Sequence, residues 1–164
     1  IAFMRQDNME GHTYRYFRGE PLYPFGYGLS YNTYAYDNLR LSARTLAPGD
    51  DLAVSVEVTN LGRREGDEVV QVYLSDTEAS APVPIRQLVA FKRVHLEAGE
   101  THTAAFTIPA KAFSLVTAQG KRIIEPGAFI VAVGGGQPTA EALLGAEGCT
   151  PVATIAMVGE AMEI

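Results

Sequence analysis

Carboxylates are the most abundant chemically useful groups in this sequence, and they concentrate in predicted turns. The chain contains 19 Asp and Glu residues. A glycosidase needs two carboxylates on opposite sides of a cleft, one acting as acid and the other as nucleophile or base. Loop tips on a β-protein offer no such cleft, so the residues alone predict a non-catalytic module. The carboxylates in question are Asp50, Asp51, Glu65, Asp67, Glu68, Asp76, Glu97 and Glu100.

Serine and glycine motifs add no catalytic or phosphate-binding site. A nucleophile elbow has the form Gly-x-Ser-x-Gly, and Gly28-Leu-Ser30 stops short of it. Gly134-Gly-Gly136 lacks the helix start and the lysine that a phosphate-binding loop requires. These three glycines are therefore interpreted as the end of a strand.

The histidines and the single cysteine indicate no metal centre. His12, His95 and His102 lie on separate predicted elements without the spacing of metal ligands, and nothing pairs them with Cys149. One cysteine also excludes an internal disulfide and leaves the redox compartment open. We therefore predict no catalytic residue, no metal and no cofactor in this chain.

Length and charge limit the partners that the chain can have. With 164 residues, the sequence suits one domain and an appendage. The net charge of −6, with scattered Lys and Arg, argues against nucleic acid or an anionic membrane as partner. The apolar runs are too short for a membrane-spanning helix. The chain starts with Ile1, and its opening residues read as a connector, so we interpret the chain as a fragment of a longer protein.

Aromatic residues crowd into one stretch near the amino terminus, interleaved with Pro and Gly. Residues 14–36 contain nine of the 15 aromatic side chains of the sequence. Pro21, Pro24, Gly26 and Gly28 prevent an interior helix or a central strand. We call residues 14–31 the strap and expect its rings to pack against protein, because large apolar patches mark contact surfaces. A sugar-stacking platform is the alternative, and the absence of Trp counts against it.

Beyond the strap, apolar residues alternate with polar ones, the pattern of half-buried strands. Seven or eight short strands with almost no helix predict an all-β fold, an antiparallel β-sandwich. We expect a bulge near Asp37, a turn over residues 47–50, and a crossing between the two sheets over residues 76–84. We also expect a helical turn over residues 139–144 and a fraying tail over residues 159–164. The side chains predicted to be buried between the sheets are Val56, Val72, Phe106 and Val131.

Several segments of the chain resemble a known family. Thr13-Tyr-Arg-Tyr-Phe17 and Pro21-Leu-Tyr-Pro-Phe-Gly-Tyr-Gly-Leu-Ser-Tyr31 are similar to the entry of the C-terminal fibronectin type III-like domain of family 3 glycoside hydrolases. Gly66-Asp-Glu-Val-Val-Gln-Val-Tyr-Leu-Ser75 and Glu125-Pro-Gly127 resemble later strands and turns of that domain. The similarity covers about residues 9–136 and is strongest to the β-xylosidase branch, although β-glucosidases share much of it. Two departures are His12, where the family commonly has Arg, and a longer connection over residues 137–150.

This resemblance implies an immunoglobulin-like sandwich attached to catalytic domains. Such enzymes hydrolyse terminal β-linked sugars, with an Asp nucleophile on a barrel and usually a Glu acid/base on an α/β domain. Neither position has a counterpart here. The resemblance implies that residues 1–31 form a linker from the missing α/β domain and that residues 32–164 form the sandwich. It further implies that Arg15 and Arg18 pair with carboxylates there. The expected interface residues are Tyr14, Arg15, Tyr16, Phe17, Tyr23, Phe25, Tyr27 and Tyr31.

Three functions compete at this point. The first is a structural module that packs against the catalytic domains of a β-xylosidase or β-glucosidase. The second is a carbohydrate-binding module that holds polysaccharide near the active site, and the third is a free-standing adhesion domain. The sequence favours the first, because the strand rings between residues 50 and 133, apart from Tyr73, are Phe and typical of a core. We also expect the isolated chain to self-associate through its strap or to have disordered initial residues.

Overall fold

The computed structural model describes residues 11–143 and 150–164, and it confirms a β-sandwich with very little helix. The strands are β1 (Tyr34–Leu41), β2 (Thr45–Leu46), β3 (Leu52–Asn60), β4 (Gly66–Asp76), β5 (Gln87–Leu96), β6 (Thr101–Ile108), β7 (Leu115–Val116), β8 (Arg122–Ile124), β9 (Gly127–Gly134), β10 (Val152–Met157) and β11 (Met162–Glu163). The helical turns are α1 (Thr13–Tyr16), a 3₁₀ turn (Ala110–Phe113) and α2 (Ala140–Leu143). Within the described ranges no helix is long and apolar enough to cross a membrane.

The first sheet has the strand order β1-β3-β6, and all of its pairs are antiparallel. Along β3 the residues at even positions from Leu52 to Val58 are buried, as the alternation predicts. The predicted bulge in β1 is confirmed, because the register shifts between Asp37 and Arg40. Asn38 accommodates the bulge with a positive φ of 53°, a conformation that Asn tolerates better than most residues.

The second sheet has the order β2-β10-β9-β4-β5, with β4 between β9 and β5. Its pairs are antiparallel except for the short parallel pair of β10 with β2. The predicted crossing over residues 76–84 is wrong. This connection joins β4 to β5 as neighbours in one sheet, because a Pro-rich loop can close a wide hairpin as well as bridge two sheets.

A small third sheet, β11-β8-β7, closes one end of the sandwich. The fraying tail is also a wrong prediction, because Met162 pairs with Ile124 and Glu163 with Ile123. A salt bridge of 2.8 Å from Lys121 to Glu163 adds a side-chain contact to this pairing.

The predicted turn at residues 47–50 and the helical turn at residues 140–143 are both present. The predictions for residues 1–10 and for Leu144 lie outside the described residues.

The core lies between the two larger sheets and is lined by the inward side chains of β3, β4, β6, β9 and β10. Three of the four predicted core residues, Val56, Val72 and Val131, are fully buried. Phe106 is only half-buried and lies beside a surface groove near Arg40, on β6, which is the edge strand of the first sheet. The large ring at the centre is instead Phe129, which packs edge-on against Phe113 with ring centroids 5.2 Å apart.

Replacing Phe129 by Ala should therefore destabilise the domain much more than replacing Phe106. A fully buried Phe leaves a cavity, and Phe129→Ala should lower the free energy of unfolding by about 3–5 kcal/mol. Phe106→Ala should cost about half as much or less, because its ring already contacts solvent. Urea titrations of both variants check this. Equal losses would contradict the assignment of Phe129 to the centre of the core.

Candidate domain interface

Strand β4 is buried on both of its faces, although only one face points into the sandwich core. All six residues from Val70 to Ser75 are buried, including the outward-pointing Gln71, Tyr73 and Ser75. Strap residues and loop residues reach this outer face, and Tyr73 is the apolar platform on which they pack.

Tyr14 is the main contact between the strap and the sandwich. Its ring stacks on Phe25 with centroids 4.3 Å apart and an interplanar angle of 17°. On another side it meets the ring of Tyr73 edge-on, with centroids 6.4 Å apart. Such aromatic pairs contribute about 0.5–1.5 kcal/mol each beyond the apolar area that they bury. Two distant parts of the strap are thus held together on one strand residue.

Backbone groups at the start of β5 bind the strap directly. The amide of Ile85 donates to the carbonyl oxygen of Arg15 at 2.7 Å, and the Leu88 amide lies 3.4 Å from the Tyr14 hydroxyl. The Arg15 guanidinium donates from Nη2 to Gln87 Oε1 at 3.0 Å. These bonds satisfy amides that β5, as the last strand of its sheet, would otherwise leave open.

The loop after β9 holds the middle of the strap. The Gln137 side chain accepts from the Phe25 amide at 3.1 Å, and the Gln137 amide donates to the Phe25 carbonyl oxygen at 2.9 Å. Nearby, Gln71 accepts from the Tyr73 hydroxyl at 2.6 Å and donates to the Gly135 carbonyl oxygen at 2.8 Å. Gly26 lies so close to Gln71 that a Cβ added there would stand 2.8 Å from its Nε2 atom. The strap and the sheet therefore meet with almost no space between them.

The second half of the strap points its apolar side chains into solvent. Tyr23 is 66% exposed, Leu29 is 93% exposed and Tyr31 is 98% exposed. Tyr23 and Tyr27 contact each other with ring centroids 5.1 Å apart, and Leu22 is also exposed. The outward group is the largest set of exposed apolar side chains within the described ranges and consists of Leu22, Tyr23, Tyr27, Leu29 and Tyr31.

A polar groove of about 610 Å³ lies between the end of the strap and strands β1 and β4. Tyr36 donates a short hydrogen bond of 2.5 Å to Glu68 on its wall. Burial, reinforced by this bond to a carboxylate, raises the pKa of Tyr36 far above its ordinary value, so its hydroxyl remains a donor at any physiological pH. The Tyr34 hydroxyl, also on the wall, is buried and without a partner among the described residues.

A charged cluster lies at the end of the β4–β5 hairpin that is far from its connecting loop. His95 Nδ1 lies 2.8 Å from Asp67 Oδ1, and the Arg93 guanidinium binds the same carboxylate. The hydrogen bond to Asp67 raises the pKa of His95, and the bonds from His95 and then Arg93 lower the pKa of Asp67. Glu65, His95 and Glu97 bring ligand atoms within 4.8 Å of one another, a set that suits a divalent cation only loosely because all three are exposed.

The predicted interface residues separate into an inward and an outward group. Tyr14 and Arg15 bind the sandwich, and the half-exposed Phe25 shares this contact. Tyr23, Tyr27 and Tyr31 face solvent. Tyr16 lies under the Arg15 guanidinium at 6.0 Å, and Phe17 covers Gly19. Sequence reasoning missed the glutamines that fasten the strap, Gln71, Gln87 and Gln137, because an isolated Gln in a strand or a loop carries no distinguishing pattern.

Comparison with known proteins agrees with this architecture. Residues 68–137 match the family described as the fibronectin type III-like domain. The chain is 44% identical over 125 residues to a periplasmic β-glucosidase of Salmonella typhimurium, covering 75% of this chain and 16% of that protein. It is 41% identical over 121 residues to a β-xylosidase of Formosa agariphila, covering 74% of this chain and 17% of that protein.

Among solved structures, a β-glucosidase from Listeria innocua in complex with isofagomine matches with a TM-score of 0.75 and 35% identity. The match covers 86% of this chain and 18% of that protein. The sandwich is therefore a fibronectin type III-like domain. More particularly, the chain belongs to the C-terminal domains of this type in family 3 glycoside hydrolases. It spans about a sixth of the length of the curated relatives that it matches.

Gly26→Ala should release the strap from the sandwich. Gly26 has a φ of +85°, which costs a residue with a Cβ about 1–2 kcal/mol, and the new methyl group would collide with Gln71. Trypsin should then cleave after Arg15 and Arg18 several times faster than in the unchanged chain. Gly28→Ala is the matched control, because a Cβ at Gly28 meets nothing within 4 Å. Equal cleavage rates in both variants would show that the close contact at Gly26 does not hold the strap.

Asp67→Asn should lower the pKa of His95, measured by an NMR titration of its ring. Because the pKa is raised in the folded state, the interaction stabilises the fold below the ordinary pKa of about 6.5 and is lost as the pH rises through the raised value. Because the pKa of Asp67 is lowered in the folded state, its contribution is present above the ordinary pKa of about 3.8 and disappears as the pH falls through the lowered value. Asp37→Asn, at an exposed carboxylate on the other sheet, serves as the control. An unchanged His95 titration in Asp67→Asn would contradict this pairing.

Proposed function

We propose that this chain is the non-catalytic C-terminal domain of a glycoside hydrolase that removes terminal β-linked sugars, and that its strap docks onto the catalytic domains. In this proposal residues 1–31 are the linker and residues 32–164 the sandwich. The single observation that carries it is the outward group of the strap. A domain with a closed core nevertheless exposes a run of large apolar side chains, which calls for a protein partner.

The arrangement of the strap supports a fixed interface rather than a flexible tether. Tyr14, Arg15 and Phe25 anchor it to the sandwich, so the outward rings are presented on a held backbone. Holding the side chains before binding reduces the entropy lost on association. Relatives that are described as β-glucosidase and β-xylosidase contain this region as about a sixth of their length, which supports attachment to a much larger chain.

Docking is tested by expressing the coding region upstream of Ile1 as a separate polypeptide and titrating it with this chain in a calorimeter. We expect binding, and we expect Tyr31→Ala to weaken it by about 2 kcal/mol, the loss typical of an interface hot spot. Val116→Ala, at an exposed apolar residue in β7, is the control and should bind unchanged. An upstream region without a barrel and an α/β domain, or one that does not bind, would refute the proposal.

Catalysis should require the upstream region. The chain alone should release no nitrophenol from an aryl-β-xyloside or aryl-β-glucoside, because the sequence predicts no pair of carboxylates on opposite sides of a cleft. The prediction that the carboxylates lie in turns is wrong for Asp67, Glu68 and Asp76, which lie on β4. The chain joined to its upstream region should hydrolyse at least one of the two glycosides. Hydrolysis by the purified chain that survives substitution of its exposed carboxylates would contradict this assignment.

Carbohydrate binding by the domain itself is the second candidate, and one observation favours it. Phe91 on β5 is 68% exposed, so the expectation that the strand rings all belong to the core is wrong for this residue. It pairs with Gln71 and therefore lies on the outer face, where a flat ring can stack on a sugar. Titration with xylo- and cello-oligosaccharides, and loss of any binding in Phe91→Ala, distinguishes this function from docking.

Self-association is a further proposal from the same exposed rings. If the outward group covers itself with a second copy when its partner is missing, light scattering should show a mass that increases with concentration. The increase should disappear in a double variant, Leu29→Ser with Tyr31→Ser. A monomer at every concentration would remove self-association while leaving docking intact.

A further inference from the structure

Two buried polar side chains without partners lie at one end of the outer face of the β4–β5 hairpin. Arg86 is only 6% exposed and Ser75 only 4% exposed. The Nε atom of Arg86 and the Oγ atom of Ser75 are both shut off from solvent with no hydrogen bond among the described residues. Native proteins rarely leave such groups unsatisfied, so each requires an explanation.

The strand register places these two residues at the same end of the β4–β5 pair. Tyr73 pairs with Leu88 and Leu74 with Gln87, so the same register continued by one residue sets Ser75 opposite Arg86. Both then follow Tyr73 and Leu88 on the outer face, by the alternation of side chains along strands. The Tyr73 phenol is close enough to interact electrostatically with the Arg86 guanidinium.

Arg86 carries a positive charge that nothing in the described part of the chain neutralises. Burial lowers the pKa of its guanidinium, and the only group that offsets this is Tyr73 rather than a carboxylate. None of the salt bridges between described residues involves Arg86. Arg15 provides a second guanidinium, which donates to Gln87, and its Nε atom is likewise buried without a partner among the described residues. A buried charge of this kind is costly unless it is paired.

We propose that Arg86 and Ser75 form a binding site for a carboxylate, which an Asp or Glu of the catalytic domains supplies when they dock. A guanidinium and a hydroxyl can both donate to a carboxylate, and Arg binds carboxylates in a two-pronged geometry. The site lies beside the anchored half of the strap, so docking would cover it together with the outward rings. This inference rests on the proposed function, and it adds that the partner surface presents a carboxylate at this position.

The first test uses this chain alone, with acetate as the probe for a carboxylate. The Nε–Hε signal of Arg86 should shift and saturate when acetate replaces chloride at constant ionic strength. The signal of Arg18, an exposed strap arginine, should not saturate. Ser75→Ala should weaken the response to acetate several-fold. A response of Arg86 no different from that of Arg18 would overturn the site.

The second test asks whether the charge is unsatisfied in the isolated chain. Arg86→Met keeps the length of the side chain and removes the buried charge, so its melting temperature should equal or exceed that of the unchanged chain. Arg18→Met is the matched control and should not change it. A lower melting temperature for Arg86→Met would mean that Arg86 is already satisfied, and the proposal would fail.

The third test measures docking to the upstream region by calorimetry. Arg86→Met should weaken binding at least about tenfold, because the incoming carboxylate would be buried without a partner. Normal binding by Arg86→Met, in a titration where Tyr31→Ala is weak, would overturn the carboxylate site and keep the proposed function. Absence of binding by the unchanged chain would overturn the proposed function, and the acetate titration would still decide whether the site exists.

Discussion

The position of β4 in the middle of its sheet is the constraint on which the rest of the structure depends. A central strand must satisfy its backbone on both sides, and β9 and β5 do so here. Its side chains also need cover on both faces, because Tyr73 points away from the core and yet is almost fully buried. The first sheet covers one face, and Tyr14 of the strap covers part of the other. The strap is therefore part of the packed structure of the domain, although it contributes no strand.

This dependence explains why the strap has two kinds of side chain. Tyr14 and Phe25 stack on each other over β4, whereas Tyr23, Tyr27 and Tyr31 in the second half of the strap are largely exposed. The anchored rings pack within the domain, whereas the exposed rings would be buried only by contact with another protein surface. Arg86 resembles the exposed rings in lacking a partner, because its guanidinium is buried and its Nε atom has no hydrogen bond among the described residues.

The parts of this fold that sequence could predict are those set by local patterns. Alternation along β3 indicated its buried face, Pro48 and Gly49 indicated a turn, and Asp37 marked the bulge of β1. The burial of Phe106 was mispredicted because alternation tells which face a residue is on and not whether its strand lies at the edge of the sheet, where an inward side chain can still contact solvent. The pairing of β11 was missed because two residues at the end of a chain carry no periodicity.

The candidate site was predictable only in part, for a similar reason. The crowding of rings with Pro and Gly marked the strap as a contact surface, but it did not show which rings turn inward. That depends on Gln71 and Gln137, whose roles arise from the packing of distant segments. Ser75 and Arg86 lie at the same end of the β4–β5 pair because the connection between these strands is a hairpin, whereas a crossing between the sheets was expected.

The attachment of the strap to β5 has a consequence for the solubility of the domain. β5 is the last strand of its sheet. The amide of Ile85, just before β5, donates to Arg15, and the amide of Leu88, near the start of β5, donates to Tyr14. An open strand edge is a template on which another chain can add a strand. A shortened domain that begins at Asn32 would keep its hydrophobic core but uncover this edge. The strap thus covers this edge and hinders the addition of a strand from another chain, the first step of aggregation.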